Sequence, residues 1–124
     1  MRKNALWNCR NPFQGSEKRV LVVCSAGLLR SPTCAWLLSQ YKYNTRSCGI
    51  HDYALIQFDE VLLEWADIII FVEDSLYQQC SFDIPISKQL IILDIPDTFS
   101  YKDPELLSII HTQCIEKKLI HEKD

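Results

Sequence analysis

Continuous apolar runs alternate with stretches whose apolar positions recur at helical spacing. Val20-Leu21-Val22-Val23-Cys24, Ile68-Ile69-Ile70-Phe71-Val72 and Leu90-Ile91-Ile92-Leu93 are short and β-branched, which suits strands of a parallel sheet covered on both faces. A weaker strand candidate spans Thr45 to Cys48 and ends at Gly49. Between them, Cys34, Ala35, Leu37 and Leu38 form a helical stripe running to about Tyr41, with Ser31 placed to cap its start and Pro32 at the first helical position. Residues 59–66 read as a helix with acidic residues in its first turn, broken by Asp67, and residues 73–80 as another. A last helix is expected from Asp103-Pro104, carrying Leu106, Leu107, Ile109, Ile110 and Cys114. The stretch 51–58 shows no clear period. Helices alternating with strands predict an α/β domain, an open four-stranded parallel sheet with helices on both faces. Ligands of such sheets bind beyond the carboxyl ends of the strands, where both Cys24 and Asp97 fall.

With 124 residues, 48% of them hydrophobic, the chain has material for one core. Residues 1–18 read as a loosely ordered arm and 19–124 as the domain. A net charge of −3 argues against a nucleic-acid partner, because a duplex backbone demands a basic face. No apolar stretch approaches the roughly 20 residues of a membrane span, so no membrane partner is expected. Six scattered cysteines (Cys9, Cys24, Cys34, Cys48, Cys80, Cys114) without a secretory leader fit free thiols in a reducing cytoplasm. His51, His111 and His121 lack metal-ligand spacing with them and read as surface histidines, and no cofactor is called for. Trp7, Trp36 and Trp65 read as packing groups.

The chemistry concentrates in Cys24-Ser25-Ala26-Gly27-Leu28-Leu29-Arg30-Ser31, the turn between a buried strand and a helix. Backbone N–H groups and a helix N-terminus converge on an anion in such a turn. Small residues at Ser25, Ala26 and Gly27 allow close approach, and Gly27 adopts positive φ without steric cost. Arg30 offers a planar fork for two phosphoryl oxygens. Its charge favours the nucleophilic thiolate of Cys24, to which Ser31 can add a hydrogen bond.

Cys24 to Pro32, a Cys-x5-Arg-Ser-Pro loop after a hydrophobic strand, resembles the signature of the low-molecular-weight protein tyrosine phosphatases. Arg46-Ser47-Cys48-Gly49, Trp65-Ala66-Asp67-Ile68-Ile69 and Asp94-Ile95-Pro96-Asp97-Thr98-Phe99 resemble later segments of that family, in the family's order over roughly residues 19 to 120. The resemblance implies strand order 2-1-3-4 and hydrolysis of phosphate monoesters, on a phosphorylated protein or a small phosphoester, through a phosphocysteine. It casts Cys24 as nucleophile, Arg30 as phosphate binder, Ser31 as thiolate stabiliser and Asp97 as general acid, with Phe99 and Tyr101 walling the pocket. Asp94 is a second candidate acid; the spacing to the following aromatic favours Asp97. Gly27 stands where the family commonly has asparagine, Leu29 replaces a second loop cysteine, and Thr98 stands where proline follows the acid.

The same loop admits three other readings. A thioredoxin-coupled arsenate reductase requires further redox cysteines, for which Cys80 is the available partner while Cys114 is expected to be buried. A phosphocysteine carrier of the sugar-phosphotransferase type is disfavoured by Arg30 and the aspartate loop, which promote hydrolysis. A non-catalytic phosphate-binding module would keep the cradle without turnover.

Overall fold

The computed structural model describes residues 18–25, 30–51, 54, 56–81 and 83–121. The arm expected over 1–18 lies outside them except for Lys18, whose carbonyl already accepts from Asn44 N–H at 2.8 Å beside the sheet. In chain order the elements are β1 (Arg19–Cys24), α1 (Arg30–Ser39), β2 (Asn44–Gly49), α2 (Glu60–Trp65), β3 (Ile68–Phe71), α3 (Asp74–Gln78), β4 (Gln89–Ile92) and α4 (Pro104–Glu116). The strands form a single sheet, all parallel, in the order β2-β1-β3-β4. Fold class and strand order agree with expectation.

The order carries a consequence for the helices. From β1 the chain steps outward to β2, then crosses back over β1 to β3 and continues to β4. Right-handed crossovers therefore set α1 on one face and α2 and α3 on the other. Helix α4 returns to pack on α1, while Phe71 meets Phe58 and the α3 residue Tyr77 edge-on, at centroid distances of 6.0 and 5.5 Å. Val20 to Val23 and Ile69 to Val72 are wholly buried, which is why these runs do not alternate with polar residues. Each such aliphatic side chain contributes about 1.5–3 kcal/mol on leaving water.

Element ends follow local chemistry. Asp59 caps α2 by accepting from Leu62 N–H, and Asp103 caps α4 by accepting from Glu105 N–H with Pro104 directly after it. At the far end of α2, Lys88 Nζ donates to the carbonyls of Glu64 and Ala66 at 2.8 and 2.7 Å, satisfying groups the helix leaves unpaired.

Helix α1 departs from expectation. It begins at Arg30, one residue ahead of the anticipated cap at Ser31, and ends at Ser39. Ser31 lies within the helix and its hydroxyl is engaged elsewhere. His111 also differs from the surface reading: it is half-buried, its Nε2 3.2 Å from the Tyr41 hydroxyl. Cys114 is buried as expected and hydrogen-bonds with Cys34; that bond, together with burial, pushes the Cys34 thiol well above its usual pKa.

Candidate active site

Chain direction reverses across the sheet between β1 and β3, and the crevice at their carboxyl ends is where an open α/β sheet receives its ligand. Cys24 ends β1, Glu73 follows β3 by two residues, and the loop after β4 brings Ile95 and Asp97 to the same end. Ladder bonds extend past the strands to hold these segments in register. Val72 N–H donates to the Val23 carbonyl at 3.1 Å, and Ile95 N–H to the Val72 carbonyl at 2.9 Å.

Cys24 Sγ lies 3.0 Å from Ser31 Oγ, and Ser31 Oγ lies 3.2 Å from the Cys48 carbonyl oxygen. All three groups are buried. A hydroxyl has one hydrogen and a carbonyl only accepts. When Cys24 is a thiol, its S–H donates to Ser31 and Ser31 donates to Cys48. When Cys24 is a thiolate, the Ser31 hydrogen turns to the sulfur. Ser31 can thus hydrogen-bond either protonation state of Cys24 without moving its oxygen.

Arg30 is 3% exposed, and burying a guanidinium requires partners. Its Nη1 donates to Glu73 Oε1 at 2.5 Å and to the Ile95 carbonyl at 3.0 Å. Both Nη1 hydrogens are thereby used, which fixes the plane of the fork. The edge formed by Nε and Nη2 remains, and Asp97 Oδ1 stands 3.5 Å from Nε. Among the described residues, Nη2 has no hydrogen bond or ion pair. This edge is the side-on face with which arginine grips a phosphoryl group by two bonds. Arg30 is also the first residue of α1, whose positive dipole end therefore lies here.

The sequence places Glu73 at a helix start and does not point to it as a site residue. Its other oxygen accepts from the Ser75 hydroxyl, and its carboxyl is held below the usual glutamate range, first by the Arg30 hydrogen bond and then by that from Ser75. A depressed folded-state pKa stabilises the protein above the unfolded value, about 4.3 for glutamate, and that stability is lost as pH falls through the folded value. Glu73→Gln is accordingly expected to lower the melting temperature at neutral pH while losing little further on acidification below that value. Melting curves from pH 7 into the acid range check this; a parent-to-variant difference that persists undiminished in acid would refute the pairing. A strand-end carboxylate at the same sheet edge as Cys24 was the signal available in the sequence.

Asp94 is placed differently from Asp97. Its backbone is clamped by Gln113 of α4, with Asp94 N–H donating to Gln113 Oε1 and Gln113 Nε2 to the Asp94 carbonyl, both at 2.7 Å. Asp97, not Asp94, meets Arg30. Phe99 is half-buried against the core, whereas Tyr101 is 48% exposed. Ser25 is described and its carbonyl accepts from His51 N–H at 3.1 Å; Ala26, Gly27, Leu28 and Leu29 lie outside the described residues. Beside the site, Ile50, whose N–H donates to the Cys24 carbonyl at 2.9 Å, shares a hollow of about 280 Å³ with Phe58, Asp59 and Cys80.

A parallel sheet of this order, with a strand-end cysteine and a following helix that starts on an arginine, is the fold of the low-molecular-weight protein tyrosine phosphatases, and solved structures of that fold are similar to this chain over most of its length. The low-molecular-weight protein tyrosine phosphatase of T. tengcongensis has a TM-score of 0.64 at 14% identity, covering 87% of this chain and 100% of its own. The tyrosine phosphatase Wzb of Escherichia coli K30, solved with phosphate, has 0.61 at 19%, covering 84% and 97%. A thioredoxin-dependent arsenate reductase of Corynebacterium glutamicum shares the fold as well, with 0.60 at 18%, covering 85% of this chain and 63% of that one. No family model matches the sequence, and no curated protein is similar to it.

Among the described residues no helix is long and apolar enough to cross a membrane.

Proposed function

We propose that this chain is a cysteine-dependent phosphatase acting on phosphate monoesters in the cytoplasm. The observation that carries the reading is the state of Arg30: Nη1 is spent on Glu73 and Ile95, and Nε, on the remaining edge, meets Asp97 Oδ1 at 3.5 Å at the end of the sheet where β1 ends on Cys24. A phosphoryl group taking that edge displaces Asp97 from Nε and sets phosphorus in line with Cys24 Sγ. The thiolate, hydrogen-bonded by Ser31, forms the S–P bond as the ester P–O bond breaks, and Asp97 gives its proton to the departing oxygen. Water then attacks the phosphocysteine; Asp97 removes its proton, and sulfur leaves as the thiolate, releasing inorganic phosphate. Arg30 and the loop N–H groups stabilise charge on the equatorial oxygens in both steps.

Burial of Cys114 against Cys34 supports hydrolysis over a thiol relay, since it withdraws that cysteine from exchange. Protein phosphotyrosine is the proposed substrate, with Phe99 and Tyr101 lining the approach to its ring; the two phosphatases of this fold compared above are tyrosine phosphatases.

Hydrolysis of para-nitrophenyl phosphate at mildly acidic pH tests the proposal. Asp97→Asn is expected to lower turnover about 10²–10³-fold while tightening inhibition by inorganic phosphate severalfold, because it removes the carboxylate that competes for Arg30 Nε. Asp94→Asn is expected to stay near the parent. Loss of activity in Asp94→Asn with an active Asp97→Asn would reverse the assignment, and an inactive parent would end the phosphatase reading.

A further inference from the structure

The loop that bears Asp97 is pinned at both ends, and its second pin has no counterpart in the chemistry above. Entry is fixed on β3, where Leu93 N–H donates to the Phe71 carbonyl at 2.8 Å and Ile95 N–H to that of Val72 at 2.9 Å. Exit is fixed on α1 by Lys102. That residue has φ of 59°, in the left-handed region a side chain enters only at a cost. In that conformation its N–H donates to the buried Thr33 Oγ1 at 3.0 Å, and its ammonium lies 4.2 Å from the Trp36 ring centroid and 5.3 Å from that of Tyr101. Asp103 N–H closes the turn on the Ser100 carbonyl at 3.1 Å.

Arg30, Thr33 and Trp36 recur every third residue along α1 and so share one stripe of that helix. The same rigid element therefore presents the arginine edge and holds the far end of the aspartate loop. We infer that Lys102 is a positioning residue, a cation latched between Trp36 and Tyr101 whose docking on α1 sets where Asp97 stands relative to Arg30 and the leaving oxygen. The inference rests on the proposed phosphatase reading and adds a determinant of how well the acid reaches its proton acceptor. A cation over an indole face holds the loop without closing the site, since Tyr101 stays half-exposed.

The test compares para-nitrophenyl phosphate, whose less basic leaving group depends less on the acid, with phenyl phosphate, whose more basic leaving group depends on it more. Lys102→Met is expected to reduce kcat/KM, which includes ester P–O cleavage but not the shared hydrolysis of the phosphocysteine, about fivefold more on phenyl phosphate than on para-nitrophenyl phosphate, the factor corresponding to about 1 kcal/mol at 1.36 kcal/mol per decade. Vanadate inhibition, which reports the Cys24 and Arg30 cradle, should stay within about twofold of the parent. Lys102→Arg, which keeps a cation for the indole, should restore the ratio. Trp36→Leu should reproduce the Lys102→Met effect, and the double variant should add little to it, as expected of two residues that act as one contact. Lys102→Gly keeps the positive φ and the Thr33 bond while deleting the cation, so it reads the latch even where Lys102→Met loses stability.

Equal losses on both esters, or additive Lys102→Met and Trp36→Leu effects, would overturn the positioning role while leaving the phosphatase reading intact. A parent that hydrolyses neither ester would overturn both, and that result is visible before any variant is made.

Discussion

Serine in place of Cys24 is expected to abolish hydrolysis, with a loss on the order of 10⁴-fold or more, and to leave anion binding in place. The substitution is close to isosteric at a position 2% exposed, so the sheet end should hold its shape. What disappears is the proposed nucleophile: a serine hydroxyl stays protonated at neutral pH, and the hydroxyl it would meet, Ser31 at 3.0 Å from the present sulfur, is no base. Steady-state rates on para-nitrophenyl phosphate, with vanadate or phosphate protection against thermal unfolding as the binding readout, separate the two functions. Acid quenching of the parent during turnover should trap a phosphorylated chain that the variant does not form. A Cys24→Ser protein within tenfold of the parent would sink the phosphocysteine mechanism.

The second large effect belongs to Arg30. Arg30→Lys keeps a positive charge but loses the fork, and is expected to cost about 10³-fold in kcat/KM and to weaken phosphate protection. A lysine ammonium reaching Glu73 cannot also present a side-on edge to a phosphoryl group. Arg30→Met should cost stability as well, about 1–3 kcal/mol, because the Ile95 carbonyl loses its donor and Glu73 its partner. Unfolding midpoints in urea distinguish that loss from the catalytic one. An Arg30→Lys variant with parent kinetics would show that the fork does not grip the transition state.

Both predictions depend on a site whose two halves differ in how openly the chain announces them. Cys24 and Arg30 could be read because they bracket a junction between a β-branched run and a helix stripe, and local sequence dictates both. Asp103 could be read as a cap because Pro104 follows it. Ser31 misled for the same local reason: a serine before a proline resembles a cap, but the helix starts at Arg30 and the hydroxyl is drawn to Cys24 Sγ and the Cys48 carbonyl. That choice is tertiary, since Cys48 reaches the site only through the pairing of β2 with β1.

The partners of Glu73 and Lys102 were not legible, and for a physical reason. The Glu73 bond to Arg30 spans 43 residues, and the Lys102 bond to Thr33 spans 69. No periodicity links such positions; they meet because β3 pairs beside β1 and because α4 returns over α1. His111 misled likewise, its half-burial arising where α4 packs beside Tyr41. By itself the sequence determined the strands, the helices and the place of Cys24 and Arg30 at the junction of β1 and α1, all set by burial patterns and turn chemistry within a few residues. Only the tertiary structure decided which edge of Arg30 faces the site, which aspartate stands at it and what holds that aspartate's loop, because a side chain's partners across a sheet are chosen by strand order and packing rather than by its neighbours in the chain.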